Sequence, residues 1–296
     1  MSRTGFTLRL ATLATALVVG PATLAPGTAE APLTSARAGD GPSAAQRYGW
    51  RTMQWDFAWE FGESLSDGPY RGANIRGGRW IDQSTGTGRA VKYGGGIEFH
   101  SGEVIRNTVT PDFGTTTLTL EGKPARLGRW ELRERVRMYN QPQFGDAPGG
   151  SPYAFVLELI PADPAAYDCG RHNITIARAP VGGTSVQIGA NAGTTRWSKT
   201  LTGYRRGATE GRLYAVQVTG RKISWFINGR VVASLGAAAA IPKIPMTVRM
   251  RMVGAGAKEM RKSYVLVDWL RNYDLAKGVR HPRAPGLNKG SFGGDC

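Results

Sequence analysis

Three polar side chains fall close together in Asn173-Ile174-Thr175-Ile176-Ala177-Arg178. In an extended strand Ile174 and Ile176 share one face, so Asn173 and Thr175 share the other. None of the three polar residues can act as an acid or base at neutral pH, because Asn and Thr do not ionise and Arg stays protonated in proteins. They are equipped to bind. Guanidinium forks hold carboxylate or sulfate groups in bidentate fashion, which makes Arg178 and Arg133 candidates for gripping an anionic ligand. Trp80 and Trp197, with Trp59, offer aromatic faces on which a flat or apolar ligand surface could stack, or else serve as packing. Two acids, Glu131 and Glu158, are expected on the same sheet face as Asn173, with Asp168 and His172 close in sequence. A carboxylate on an apolar strand keeps its proton more readily, as a general acid must. For Glu158 the preferred expectation is instead an ion pair with nearby arginines, which outnumber glutamates on that face.

The elements that must position these residues read as β-strands. Trp130 and Leu132 alternate with Glu131 and Arg133, giving one apolar and one polar face. Val136 and Met138 continue the apolar parity, which Glu134 breaks, as at a bulge or an exposed end. Tyr153, Phe155, Leu157 and Leu159 line one face of the next strand, with Ala154, Val156 and Glu158 opposite. From Leu213 to Leu235 two or three strands are joined by turns, one of them Asn228-Gly229. Asn-Gly is a strong hairpin signal because a type I′ turn needs positive φ at both central residues. Met246 to Val253 alternates over its whole length, and Tyr264 to Tyr273 reads as the closing strand. Ala237 to Ala240 reads as loop.

Composition bounds the architecture. The chain has 296 residues with 41 Gly, mostly clustered between β-branched or aromatic runs. That spacing favours one all-β domain, since sandwiches reach ~200–250 residues undivided. Residues 1–38 read as a signal peptide and leader: Arg3 and Arg9 precede the apolar run Leu10 to Val19, which is short for a bilayer span. Ala29-Glu30-Ala31, hindered by Pro32, and Ala36-Arg37-Ala38 are the candidate cleavage sites; an uncleaved anchor is the competing reading and the only expected route to a membrane. Residues 39–46 read as linker, 47–275 as the sandwich and 276–296 as a basic, extended tail.

Net charge is +16. Loss of Arg3, Arg9, Arg37 and Glu30 with the leader would leave +14. Such an excess draws a protein to anionic polymers, or simply keeps it soluble. Nucleic acid is not expected as a partner, because no recognised nucleic-acid module is present and the chain carries an export signal. Cys169 and Cys296 suit one disulfide in an oxidising compartment, with free thiols or an interchain bond as alternatives. With three histidines in the chain they make no persuasive metal site, and no cofactor is expected.

In order and spacing, Gly128-Arg129-Trp130-Glu131-Leu132-Arg133, Tyr214-Ala215-Val216-Gln217, Ile223 to Gly229 and Val265 to Tyr273 resemble glycoside hydrolase family 16. The resemblance implies a concanavalin A-like β-sandwich, a jelly roll of two antiparallel sheets. Family members carry Glu-x-Asp-x-Glu, or the bulged Glu-x-Asp-x-x-Glu, on one strand. Retaining glycosidases hold two carboxyl groups about 5–5.5 Å apart, one attacking and one protonating. Matched to this pattern, the nucleophile position falls on Asn173, the orienting Asp on Thr175, and the acid/base on Arg178, or on Ala177 without the bulge. The family's aromatic sugar platform falls on Ser151 to Val156, with Val156 in place of a Trp.

The expected function is therefore an exported carbohydrate-binding protein on a glycanase scaffold, taking an acidic or neutral polysaccharide through Arg133, Asn173, Thr175, Arg178, Trp80 and Trp197. Two alternatives stand beside it. One is an active glycoside hydrolase or transglycosylase using displaced acids, Glu158 and Glu131. The other is a structural cell-envelope protein. Sugar identity and oligomeric state are not legible in the sequence.

Overall fold

Strand by strand, the alternation of apolar side chains is resolved into two sheets facing each other across one core. The computed structural model describes residues 41–59, 78–93, 95–101, 109–110, 113–135, 150–204, 211–256, 258–275 and 284–296. The expected leader, Val136 and Met138 lie outside these.

The first sheet runs in the order Arg230–Leu235, Ile223–Ile227, Arg212–Val218, Gly128–Arg135, Tyr264–Tyr273, Gly96–His100 and Arg89–Tyr93, and Met53–Phe57 also pairs with Tyr264–Tyr273. The second runs Asn288–Ser291, Thr195–Leu201, Val186–Ala192, Ile174–Pro180, Ala154–Pro161, Met246–Val253, Thr116–Gly122 and Gly78–Asp82. Neighbours within both are antiparallel, as in a jelly-roll sandwich.

The core forms where the inward parities meet. Met246, Val248, Met250 and Met252 pack with Phe155, Leu157, Leu159, Ile174 and Ile176 from the second sheet. Trp130, Leu132, Tyr214, Val216 and Trp225 face them from the first. Burial of this apolar surface is the main stabilising term for such a sandwich.

The hairpin expected at Asn228-Gly229 is present, with φ of 48° and 67° at the two residues. Asn228 reinforces it by accepting the Leu213 N–H at 3.1 Å.

Three expectations are corrected. Residues 41–46 are not linker: Ser43 caps the helix Ala44–Tyr48 in a capping box with Gln46, and the helix lies on the first sheet. Its Ala44 N–H donates to the Glu131 carboxylate at 2.6 Å. Residues 288–291 are not extended tail but an added edge strand, pairing Trp197 with Lys289. Glu134, which breaks the apolar parity of its strand, is not an exposed end: it is buried and accepts the Tyr214 hydroxyl at 2.9 Å, and the ladder to Tyr264–Tyr273 slips beside it, between Val267 and Trp269. Ala238–Ala240 forms a short 3₁₀ turn.

Candidate functional site

The strand Ile174–Pro180 lies in the second sheet between Ala154–Pro161 and Val186–Ala192. Its pairing with both neighbours slips between Thr175 and the residues beyond it, the signature of a β-bulge. Ile176 and Ala177 consequently both face inward, at 2% and 0% exposure. Arg178 is thrown outward and is exposed. The extra residue is what brings Arg178, rather than Ala177, onto the face that Thr175 shares.

The bulge has a partner across the core. Trp225 of the first sheet, itself fully buried, donates its indole N–H to the Thr175 carbonyl at 2.9 Å. A backbone acceptor beside an interrupted ladder needs such a donor, because an unpaired buried carbonyl is costly.

Directly paired residues in a sheet point to the same face. Thr175 pairs with Glu158, and Glu158 with Arg249. Arg178 pairs with Val156, and Val156 with Arg251. The outer face around the strand therefore gathers Thr175, Arg178, Glu158, Arg249 and Arg251. Asn173, one residue before the strand, is 1% exposed and donates from Nδ2 to Glu158 Oε2 at 2.9 Å. Among the described residues its Oδ1 has no hydrogen-bond partner.

Glu158 is the hub of this group. Its Oε1 accepts Arg249 Nε at 2.9 Å and lies 2.8 Å from Arg251 Nε. Arg249 is further fixed by the Tyr167 hydroxyl at 2.7 Å and by lying over the Tyr167 ring. The carboxylate is 2% exposed, so the arginines supply what water would otherwise provide. Arg178 stands outside this pairing. Burial of part of its side chain and then the charge of Arg251 lower its pKa, while Asp295 and Glu158 oppose them. An arginine so perturbed still carries its charge.

Of the other residues expected here, several are elsewhere. Glu131 and Arg133 belong to the first sheet, across the core from Asn173. Glu131 is buried under the helix Ala44–Tyr48, and Arg133 pairs with Asp268 at 3.2 Å. Their alternation was read correctly, but strand parity does not say which sheet a strand joins. Trp80 is no sugar platform: it is 1% exposed and packs against Phe57 and Trp59 in the core. Trp59 is fully buried as well. Trp197 pairs with core-facing Ala190 and packs half-buried against the core, so it too faces inward. His172 is exposed and Asp168 pairs with Arg171. Cys169 and Cys296 are joined by a disulfide, their Cα atoms 5.1 Å apart.

No family profile and no curated protein matches this sequence. Solved structures do. The laminarinase catalytic domain of Thermotoga maritima superposes with a TM-score of 0.52 at 12% identity, over 77% of this chain and 99% of that one. The endo-β-1,3-glucanase of Pyrococcus furiosus gives 0.51 at 14%, over 77% and 96%. A non-specific endo-β-1,3(4)-glucanase from family 16 gives 0.52 at 9%, over 77% and 91%. The fold is that of the family 16 glucanases.

On this fold the exposed Arg178, beside half-buried Thr175, can take an anion, whereas the Asn173 amide is buried against Glu158. Among the described residues no cluster of His, Cys, Asp and Glu is arranged to hold a metal. Sequence reading missed Arg249, Arg251, Arg196 and Asp295. The first two were within reach, since the Met246 to Val253 alternation opposes them to the Met row. Nothing in the local sequence around Asp295 announces its place.

Proposed function

We propose that this protein is an exported, non-catalytic glycan-binding protein that holds an acidic polysaccharide on the outer face of its second sheet. The observation that carries the reading is the state of Glu158. It is the carboxylate paired beside Thr175, and Asn173, Arg249 and Arg251 occupy its two oxygens. A general acid or nucleophile must reach a glycosidic oxygen or anomeric carbon with a free oxygen of its own. Glu158 is nearly inaccessible, and each of its oxygens already accepts one hydrogen bond, from Asn173 and from Arg249, with the Arg251 charge 2.8 Å away. Arg178, by contrast, is exposed and positively charged, the chemistry that takes a uronate or sulfate. The glucanase scaffold supports the sugar, and the arginines support its acidic character.

The test has two arms. Reducing-end release by the domain is measured on β-glucans, galactans, and sulfated and uronic polysaccharides, beside Glu158→Gln. Retention of the same polymers is measured for wild type and Arg178→Ala. The expected result is no release, with retention of acidic polymers that Arg178→Ala loses. Release by the wild type but not by Glu158→Gln would overturn the non-catalytic reading and make Glu158 the acid. Absence of both release and retention would leave the sandwich as a structural envelope component.

A further inference from the structure

The segment 288–296 reaches the candidate site from the edge of the second sheet and delivers a charge there. Asn288–Ser291 pairs with Thr195–Leu201. Phe292 then donates its N–H to the Thr194 carbonyl at 2.8 Å and is buried, with the Arg196 guanidinium 4.1 Å over its ring. The Asp295 N–H donates to the Cys169 carbonyl at 2.8 Å, and the next residue is bonded to Cys169 itself. Edge strand, buried ring, backbone hydrogen bond and disulfide together fix where Asp295 stands.

That place is beside the site strand. Gly170, at φ 79°, lies between Asp295 and Asn173: a Cβ built on it would be 3.0 Å from Asp295 Oδ2 and 3.2 Å from Asn173 Nδ2. Asp295 Oδ1 is 3.9 Å from Arg196, both side chains being more than a third exposed, and its charge is felt at Arg178. The exposed part of the site thus holds Arg178 and Arg196 with one accessible carboxylate between its own chain and solvent. The loose pairing leaves the Arg196 guanidinium able to turn to another anion, while Asp295 acts on Arg178 through its charge.

We propose that Asp295 sets the selectivity of this site, as a built-in counter-charge beside Arg178 that an acidic group of the glycan must displace from Arg196. The inference rests on the binding reading above and names what tunes it. A neutral glycan does not compete with Asp295, whereas a sulfate or uronate does, so the carboxylate narrows the preference for acidic ligands that the arginines alone would show.

The experiment is titration of a sulfated β-1,3-glucan oligomer and its unsulfated counterpart into wild type, Asp295→Asn and Arg178→Ala at low and high salt. Removing one charge at this distance in a solvated site should tighten binding of the sulfated oligomer about five-fold, less so at high salt. Affinity for the unsulfated oligomer should not move. An unchanged or weaker affinity of Asp295→Asn for the sulfated oligomer overturns the proposal, and so does equal tightening of both. If Arg178→Ala holds the sulfated oligomer as well as wild type, the binding reading fails instead, and the role of Asp295 with it. Binding of neither oligomer by any of the three proteins overturns both.

Discussion

Asn173 donates from Nδ2 to Glu158 Oε2 at 2.9 Å, with both residues almost wholly buried. The Asn173 amide thus serves the neighbouring acid. An amide can donate to a carboxylate; a second carboxylate would repel it.

Asn173→Asp should therefore destabilise the domain by about 2 kcal/mol at neutral pH, since two buried carboxylates in contact cannot both ionise cheaply. The loss should shrink as acid protonates one of them. Denaturant unfolding of the variant at neutral and acidic pH checks this, and adding Glu158→Gln should recover most of the loss at neutral pH.

The Trp225 indole is a second interaction on which the site strand depends. Trp225→Phe keeps most of the core volume but orphans the Thr175 carbonyl, a loss of about 1–3 kcal/mol. Faster hydrogen exchange in Ile174–Pro180 than in Met246–Val253 would show that the damage is local to the bulge. Uniform loss of protection would mean that Trp225 acts only as core.

Glu131 makes stability depend on pH. Burial pushes its carboxyl up to about 7 from an ordinary 4.5, against the pull of the Ala44 and Ala45 N–H groups. Between those values the folded protein keeps a proton that the unfolded chain has released, so its contribution to stability is greatest below pH 4.5 and falls as pH rises toward 7. Compared with wild type at each pH, Glu131→Gln should gain about 3 kcal/mol in relative stability across that window. Parallel urea titrations of the two proteins measure it, and a constant difference would contradict the assignment.

Gly229 tests how the helix Ala44–Tyr48 is seated. Its φ of 67° already disfavours a side chain, and a Cβ there would fall 1.9 Å from the Pro42 carbonyl oxygen. Gly229→Ala should cost about 2–4 kcal/mol, more than positive φ alone imposes. Removing residues ahead of the helix, through Pro42, should give back the steric part in thermal melts.

Much of the sandwich was legible because side-chain parity is local. Met246 to Val253 names its own inward row, and Asn228-Gly229 names its own turn. The absence of acids from Asn173 to Arg178 is equally plain in the chain. Parity stops at the strand, however. It put Glu131 and Arg133 on a polar face, which is right, but could not say that this face belongs to the opposite sheet, because sheet membership depends on strands far away in sequence. Aromatic residues gave no better guide: Trp80 has the same composition signal whether it lines a groove or fills a core, and only packing with Phe57 and Trp59 decides.

The strands, the principal hairpin and the acid-free run from Asn173 to Arg178 follow from neighbours a few residues apart. Tertiary structure alone decided that a bulge turns Arg178 outward, that Arg249 and Arg251 bind Glu158, and that Asp295 arrives from more than a hundred residues away to stand beside Asn173. Those are contacts between strands and across a disulfide, and their energies depend on distances that only the folded chain sets.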